Sequence, residues 1–180
     1  MISALRERLS WRSRFPSSGY PMSLHTRNLA LLDEHAIRYR EVSHEPVLDY
    51  PTAHAVRERF GLRGVESKSL FLRLKNGGYA MLVTLEGARA DWAQLKALLG
   101  ARPSVASDDE LVALTGCVPQ CACPLGHAEE IALVFDEAIF QHDFLIYSPG
   151  PPEYTLEVAT ADLARLLPQL PNRVLHYRSE

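Results

Sequence analysis

The chain has 180 residues, enough for one domain with a hydrophobic core and too few for two ordinary ones. At 47% hydrophobic and 23% charged residues it matches folded globular proteins, which excludes disordered and fibrous classes, and no apolar run approaches the roughly 20 residues that cross a bilayer. A formal net charge of -3 gives no global pull toward phosphate, so a nucleic acid would have to be held by a local patch or through a partner.

The first stretch, Met1 to Pro21, carries Arg6, Arg8, Arg12 and Arg14 against Glu7 alone. That composition occurs in transit peptides, but a disordered or extended segment ahead of Met22 is the simpler reading. Leu24 to His35 has the apolar spacing of a half-buried helix opened by Ser23 or Thr26, and Ile37 to Val42 alternates as a strand does. Beyond the Pro46 and Pro51 breaks, Thr52 to Phe60 reads as a second helix stopped by Gly61. Lys68 to Leu74 and Tyr79 to Leu85 are apolar-rich runs joined by Lys75-Asn76-Gly77-Gly78, a hairpin signal. Asp91 to Leu99 is a capped helix closed by Gly100, and Ser107 with Glu110 forms a capping box opening a helix to Leu114. Ile131 to Phe135, Ile139 to Phe140, Phe144 to Tyr147 and Tyr154 to Val158 read as strands, followed by a helix from Thr160 to Leu167. Strands with helices inserted between them, without regular β-α alternation, predict a single α+β domain over residues 22–170 with a mixed, curled or barrel-like sheet, and a C-terminal tail over 171–180.

Two segments concentrate chemistry: Glu66-Ser67-Lys68-Ser69-Leu70-Phe71-Leu72, and the loop from Thr115 to His127. An ammonium at the start of an apolar strand belongs at the lip of a core, where it can bind a phosphate or carbonyl oxygen; the alternative is a lysine snorkelling at the surface. With His44-Glu45-Pro46 after the first strand, a Thr-Gly loop ending Pro124-Leu125-Gly126, and a late strand ending at Ser148, the order of features resembles the YbaK and prolyl-tRNA synthetase-associated editing domain over roughly Leu24 to Leu167. The resemblance implies a cytoplasmic trans-editing deacylase that hydrolyses the ester of mischarged tRNA, with tRNA for proline carrying alanine, cysteine or a similar small amino acid as the implied substrate. It also implies Lys68 as a binding and orienting residue. The backbone of Gln120, Cys121, Cys123 and Pro124 then stabilises the oxyanion, with Ser69, Gly116, Gly126, His127 and Ser148 around the substrate, and the tRNA ribose hydroxyl assists in place of a protein triad. No cofactor is needed. The implied partners are the tRNA acceptor end and an aminoacyl-tRNA synthetase, with neither DNA nor membrane.

The loop departs from the family at Gln120, which stands where a glycine is expected and makes close approach or a positive backbone angle harder. A non-catalytic binder of aminoacyl-tRNA or of a synthetase is therefore an alternative. Cys117, Cys121, Cys123 and His127 form a Cys-x3-Cys-x-Cys-x3-His array, which raises a second alternative, a thiol-based metal or redox protein, although the spacing is unusual for zinc. Arg57, Arg59, Arg63, Arg73 and Lys75 offer either a basic rim for the tRNA end or an ordinary solvated face.

Overall fold

The computed structural model describes residues 22–179, so the extension expected before Met22 lies outside the described residues. Capping explains most helix boundaries. Helix α1 (Leu24–Glu34) starts at Ser23, whose Oγ accepts the Thr26 N–H at 3.2 Å. Helix α2 (Tyr50–Phe60) starts two residues earlier than its apolar pattern because Asp49 accepts the Thr52 N–H at 2.7 Å, and it ends at Gly61 in the left-handed region. Asp91 caps α3 (Trp92–Leu99), and α4 (Asp108–Thr115) opens on the Ser107–Glu110 capping box. Helix α5 (Thr160–Leu166) closes the helical set.

The strands are β1 (Tyr39–Ser43), β2 (Val65–Leu74), β3 (Tyr79–Leu85), β4 (Pro103–Val105), β5 (Ile131–Asp136), β6 (Phe144–Tyr147), β7 (Tyr154–Ala159) and β8 (Val174–Tyr177). They form one mixed sheet in the order β1-β7-β6-β2-β3-β5-β8, with β4 added on β2. The α+β reading and the curled mixed sheet are borne out. Strand β2 forks this sheet. It pairs with β3 along one edge, while its other edge pairs with β6 only at Val65 and Glu66 and with β4 only at Leu72 to Leu74. The parallel β2–β6 register is thus two residues long, and the two halves of the sheet part beyond it.

Period-two alternation assigns the faces. Phe71, Met81, Val83, Leu133, Phe135, Leu145 and Leu156 point inward and pack with α1, α5 and the buried part of the 115–127 loop. On the other face Leu72, Leu82 and Val134 are covered by Leu95 and Leu99 of α3, and Ile146 by Val56 of α2. Each of these fully buried leucines contributes about 1.5–3 kcal/mol.

Three segments differ from the sequence reading. Ile139 and Phe140 are not a strand: Glu137–Gln141 is a 3-10 helix, turned out of β5 by Asp136, whose Oδ1 accepts the Ala138 N–H at 3.0 Å. Strand β4 was hidden by its length and by Pro103. The tail expected over residues 171–180 instead contains β8, a parallel edge strand on β5. Its Tyr177 is 1% exposed, and its hydroxyl oxygen accepts the Asp91 N–H at 2.6 Å at the start of α3. Tyr177→Ala should therefore cost about 3–5 kcal/mol in urea unfolding, the range for deleting a buried aromatic; a cost below 1 kcal/mol would mean that the segment is a tail after all.

Candidate active site

Where β2 leaves β6 it opens a cleft of about 300 Å³. Its floor is β2 from Glu66 to Phe71, which on this side has no strand partner between Ser67 and Phe71. Tyr50 and Ala53 of α2 form one wall, Gln120 to Ala122 and the end of β6 another, and Val105 and Asp108 the mouth. Because the cleft runs along an open strand edge, side chains from both faces of β2 reach it.

Five residues expected from separate segments meet here: Lys68, Ser69, Gln120, Cys121 and Ser148. The Lys68 ammonium is half-buried and donates to the Ala88 carbonyl at 3.1 Å, a neutral partner that leaves its charge uncompensated. The Ser69 hydroxyl oxygen is buried with no partner among the described residues. Ser148 is fully engaged: its Oγ donates to the Pro151 carbonyl at 3.0 Å and accepts the Cys121 thiol at 2.9 Å and the Gly150 N–H at 3.3 Å. It ends β6 and pins Cys121.

The other five expected residues lie outside the cleft lining and hold the loop in place. Gly116 ends α4 at φ 74, and Gly126, at φ 86, sits where a Cβ would lie 2.9 Å from the Asn28 amide nitrogen. Cys123 and Pro124 are buried. The His127 ring is held near pKa 4, chiefly by burial, and as a neutral imidazole its Nε2 donates to the Cys123 carbonyl at 2.6 Å. Helix α1 completes the clamp. Arg27 donates to the carbonyls of Thr115 and Gly126, and Asn28 to that of Leu125.

The Cys-His array does not converge. Cys121 turns to Ser148, Cys123 donates to the Leu125 carbonyl, and the Cys117 sulfur accepts the Cys123 N–H at 3.3 Å. Among the described residues no three His, Cys, Asp or Glu side chains gather as a metal set. Burial raises all three thiols above their ordinary pKa, so they stay protonated at neutral pH and are poor ligands and nucleophiles.

The oxyanion assignment narrows for a simple reason. Pro124 has no N–H, Cys121 N–H is taken by the Val118 carbonyl at 2.9 Å, and Cys123 N–H by the Cys117 sulfur. Gln120 and Ala122 line the cleft, and their N–H groups have no partner among the described residues. Gln120 itself has φ 70, the left-handed conformation in which the family's glycine would be at ease. Nor do the arginines form one rim. Arg63 and Arg73 flank opposite ends of β2, about 33 Å apart at ~3.3 Å per residue. Arg59 pairs with Glu45, Arg73 with Glu110, and Arg63 lies over Phe144.

Two residues carry more than sequence reasoning assigned them. His44 ties the loop after β1 to β7, its Nε2 2.8 Å from Thr155 Oγ1. Glu66, two residues before Lys68 on the same strand face, lines the cleft at 8% exposure, and its Oε1 has no hydrogen-bond partner among the described residues. Burial lifts its carboxyl to about 7, against the lowering influence of Arg57 and His54 and with a smaller rise from Glu86. A carboxylate at an apolar strand start looks like any polar strand end, so no local signal marks it.

Relieving the left-handed strain, Gln120→Gly should raise stability by up to about 1 kcal/mol in denaturant unfolding; a clear loss would show that the glutamine side chain holds the loop. For Glu66, the folded state keeps a proton that the unfolded chain releases between pH 4.5 and about 7. The stability linked to that proton is complete at pH below 4.5 and is lost as pH rises through 7. Glu66→Gln, neutral throughout, should therefore stabilise the fold at pH 8 by on the order of 2–3 kcal/mol, a gain that vanishes in acid. Equal unfolding curves for the two proteins at pH 8 would contradict this.

Residues 44–166 match the family model described as the aminoacyl-tRNA editing domain. A Multifunctional Ser/Thr-tRNA deacylase ProXp-y of Escherichia coli (strain K12) is 31% identical over 155 residues, covering 82% of this chain and 91% of the relative, and its counterpart in E. coli O157:H7 matches equally. Among solved structures, a hypothetical protein superposes with TM-score 0.74 at 20% identity, covering 86% of this chain and 99% of its own. A candidate trans-editing enzyme for prolyl tRNA synthetase does so with TM-score 0.68 at 18% identity, covering 89% and 99%. The fold, the cleft at the parting of β2 and β6, and a match over most of the length agree: this chain belongs to the aminoacyl-tRNA editing domain family, whose reaction is hydrolysis of the aminoacyl-tRNA ester.

Proposed function

We propose that this protein is a trans-editing enzyme of the cytoplasm that removes serine, threonine or a similarly small amino acid from mischarged tRNA. The observation that carries the reading is the meeting of Lys68, Ser69, Gln120 and Cys121 in one cleft at the small end of the ~300–1,000 Å³ range of ligand sites. Only the acceptor end of the tRNA needs to enter. The Lys68 ammonium, engaged by a single carbonyl, has donors left for the ester carbonyl or a neighbouring phosphate. The N–H groups of Gln120 and Ala122 receive the charge that develops on the carbonyl oxygen as water attacks. Cys121 remains a thiol pinned to Ser148, so the path is direct hydrolysis, assisted by the ribose hydroxyl beside the ester, and no acyl-enzyme forms.

The resemblance read from sequence favoured alanine or cysteine. The cleft favours a hydroxyl. Ser69 Oγ and Tyr147 OH are buried without partners among the described residues, and each unmade hydrogen bond costs about 1–3 kcal/mol that a hydroxylated side chain would recover. The E. coli relative named as a Ser/Thr-tRNA deacylase agrees with this choice. A synthetase that hands over its mischarged product is the protein partner such an enzyme calls for.

The test is a deacylation panel of seryl-, threonyl-, alanyl- and cysteinyl-tRNA on mismatched tRNAs. Wild-type protein should release serine and threonine fastest, and Lys68→Ala should lower kcat/KM at least ~100-fold, the scale of one lost oxyanion contact, with an unchanged melting temperature. If wild type frees no amino acid from any member, the hydrolase reading fails and the binding-module alternative takes its place.

A further inference from the structure

Glu66 lines the cleft, yet the hydrolysis outlined above leaves it unused. Its position is rigidly set. Its backbone pairs with Ile146 of β6 on one side, while on the other its carbonyl accepts the Glu86 N–H at 3.0 Å, so both halves of the sheet hold it at the fork. The side chain is 8% exposed and its Oε1 has no partner. Of the neighbouring cations, His54 pairs with Glu86 at 2.7 Å and Lys68 turns to the Ala88 carbonyl, while Arg57 acts on the carboxyl through its charge without a hydrogen bond to it. Asp49 and Asp108 also line the cleft, whose sole lysine or arginine among the described residues is Lys68. A buried carboxylate with an open acceptor, in a cleft with more acids than bases, is a site for a cation.

We propose that Glu66 is the anionic half of an ammonium subsite that receives the free α-amino group of the amino acid being removed. The inference rests on the ester-hydrolase reading and adds to it recognition of the substrate amine. Spacing supports the pairing. Glu66 and Lys68 lie on the same strand face with Cα atoms about 6.6 Å apart, a span that an ester carbonyl on Lys68 and the adjacent ammonium on Glu66 bridge with ordinary hydrogen bonds. Burial, which lifts the Glu66 carboxyl to about 7, is offset by an ammonium beside it, which favours the anion. The consequence is selectivity by amine. A tRNA whose amino acid is N-acylated, as in a growing peptide, loses this contact and is spared.

The experiment pairs each substrate with its N-acetylated form. Seryl-tRNA and N-acetylseryl-tRNA are compared for kcat/KM with wild type and Glu66→Gln. In parallel, calorimetry measures binding of the amide analogue of seryl-adenosine, in which nitrogen replaces the ester oxygen, with and without α-acetylation. Wild type should favour the free amine by roughly 10- to 100-fold in both assays, the scale of a charge-assisted hydrogen bond, and Glu66→Gln should bring the ratio close to one, mainly through KM. An unchanged ratio in Glu66→Gln overturns the subsite, because a steric block or a general-base role would move both substrates together, while hydrolysis by wild type would keep the deacylase reading intact. Selective binding of the free-amine analogue without any hydrolysis keeps the subsite and overturns the deacylase reading. Neither hydrolysis nor amine-selective binding overturns both.

Discussion

The cleft depends on the brevity of one parallel pairing. Strand β2 is ten residues long, but β6 follows it only across Val65 and Glu66. Had the ladder continued, Ser67 to Phe71 would be covered by a strand and no cleft would open along β2. Instead the β1-β7-β6 half turns away and the middle of β2 becomes the floor of a site. The Gly64–Ile146 contact shows how tight the junction is: a Cβ on Gly64 would lie 2.7 Å from the Ile146 side chain. The sheet can fork there because the residue just before the pairing has no side chain.

A gap in a sheet would collapse unless its far wall were held from behind. That wall is a loop with little regular structure of its own, and its carbonyls are taken by Arg27 and Asn28 from α1 and by His127 from within. Burying such a loop would otherwise strand polar backbone groups at a cost comparable to lost hydrogen bonds. Residues that look catalytic by type, a histidine and two of the three cysteines, are thus occupied in fixing a wall, while the face they hold up presents Gln120 and Ala122 to the cleft.

The site also stores unfavourable terms. Gln120 occupies a left-handed conformation, Glu66 is a buried acid without a matched partner, and Ser69 and Tyr147 keep hydroxyls without acceptors. Each would be easy to improve for stability alone. All four line one cleft. Asn28 Oδ1 and His127 Nδ1 behind the loop are also left unpartnered among the described residues, whereas Asp136, buried elsewhere, accepts the Thr84 hydroxyl at 2.5 Å and two N–H groups.

Local elements and the neighbourhood of the site were legible in the sequence wherever a short-range physical signal exists. The Asn-Gly hairpin, the caps at Ser23, Asp91 and Ser107, and the apolar runs of β2 and β3 all depend on residues within a few positions of one another, and the structure repeats them. The order of motifs placed Lys68, Ser69 and the loop in one site, since order survives folding. What the sequence could not decide is which partner each polar group finds. The strand β8 is four residues long and is held by β5 and the start of α3; His127 faces a carbonyl; the Oε1 of Glu66 finds no partner among the described residues, while Lys68, two residues away, turns to Ala88. These depend on contacts between residues far apart in the chain, and only the packed fold assigns them.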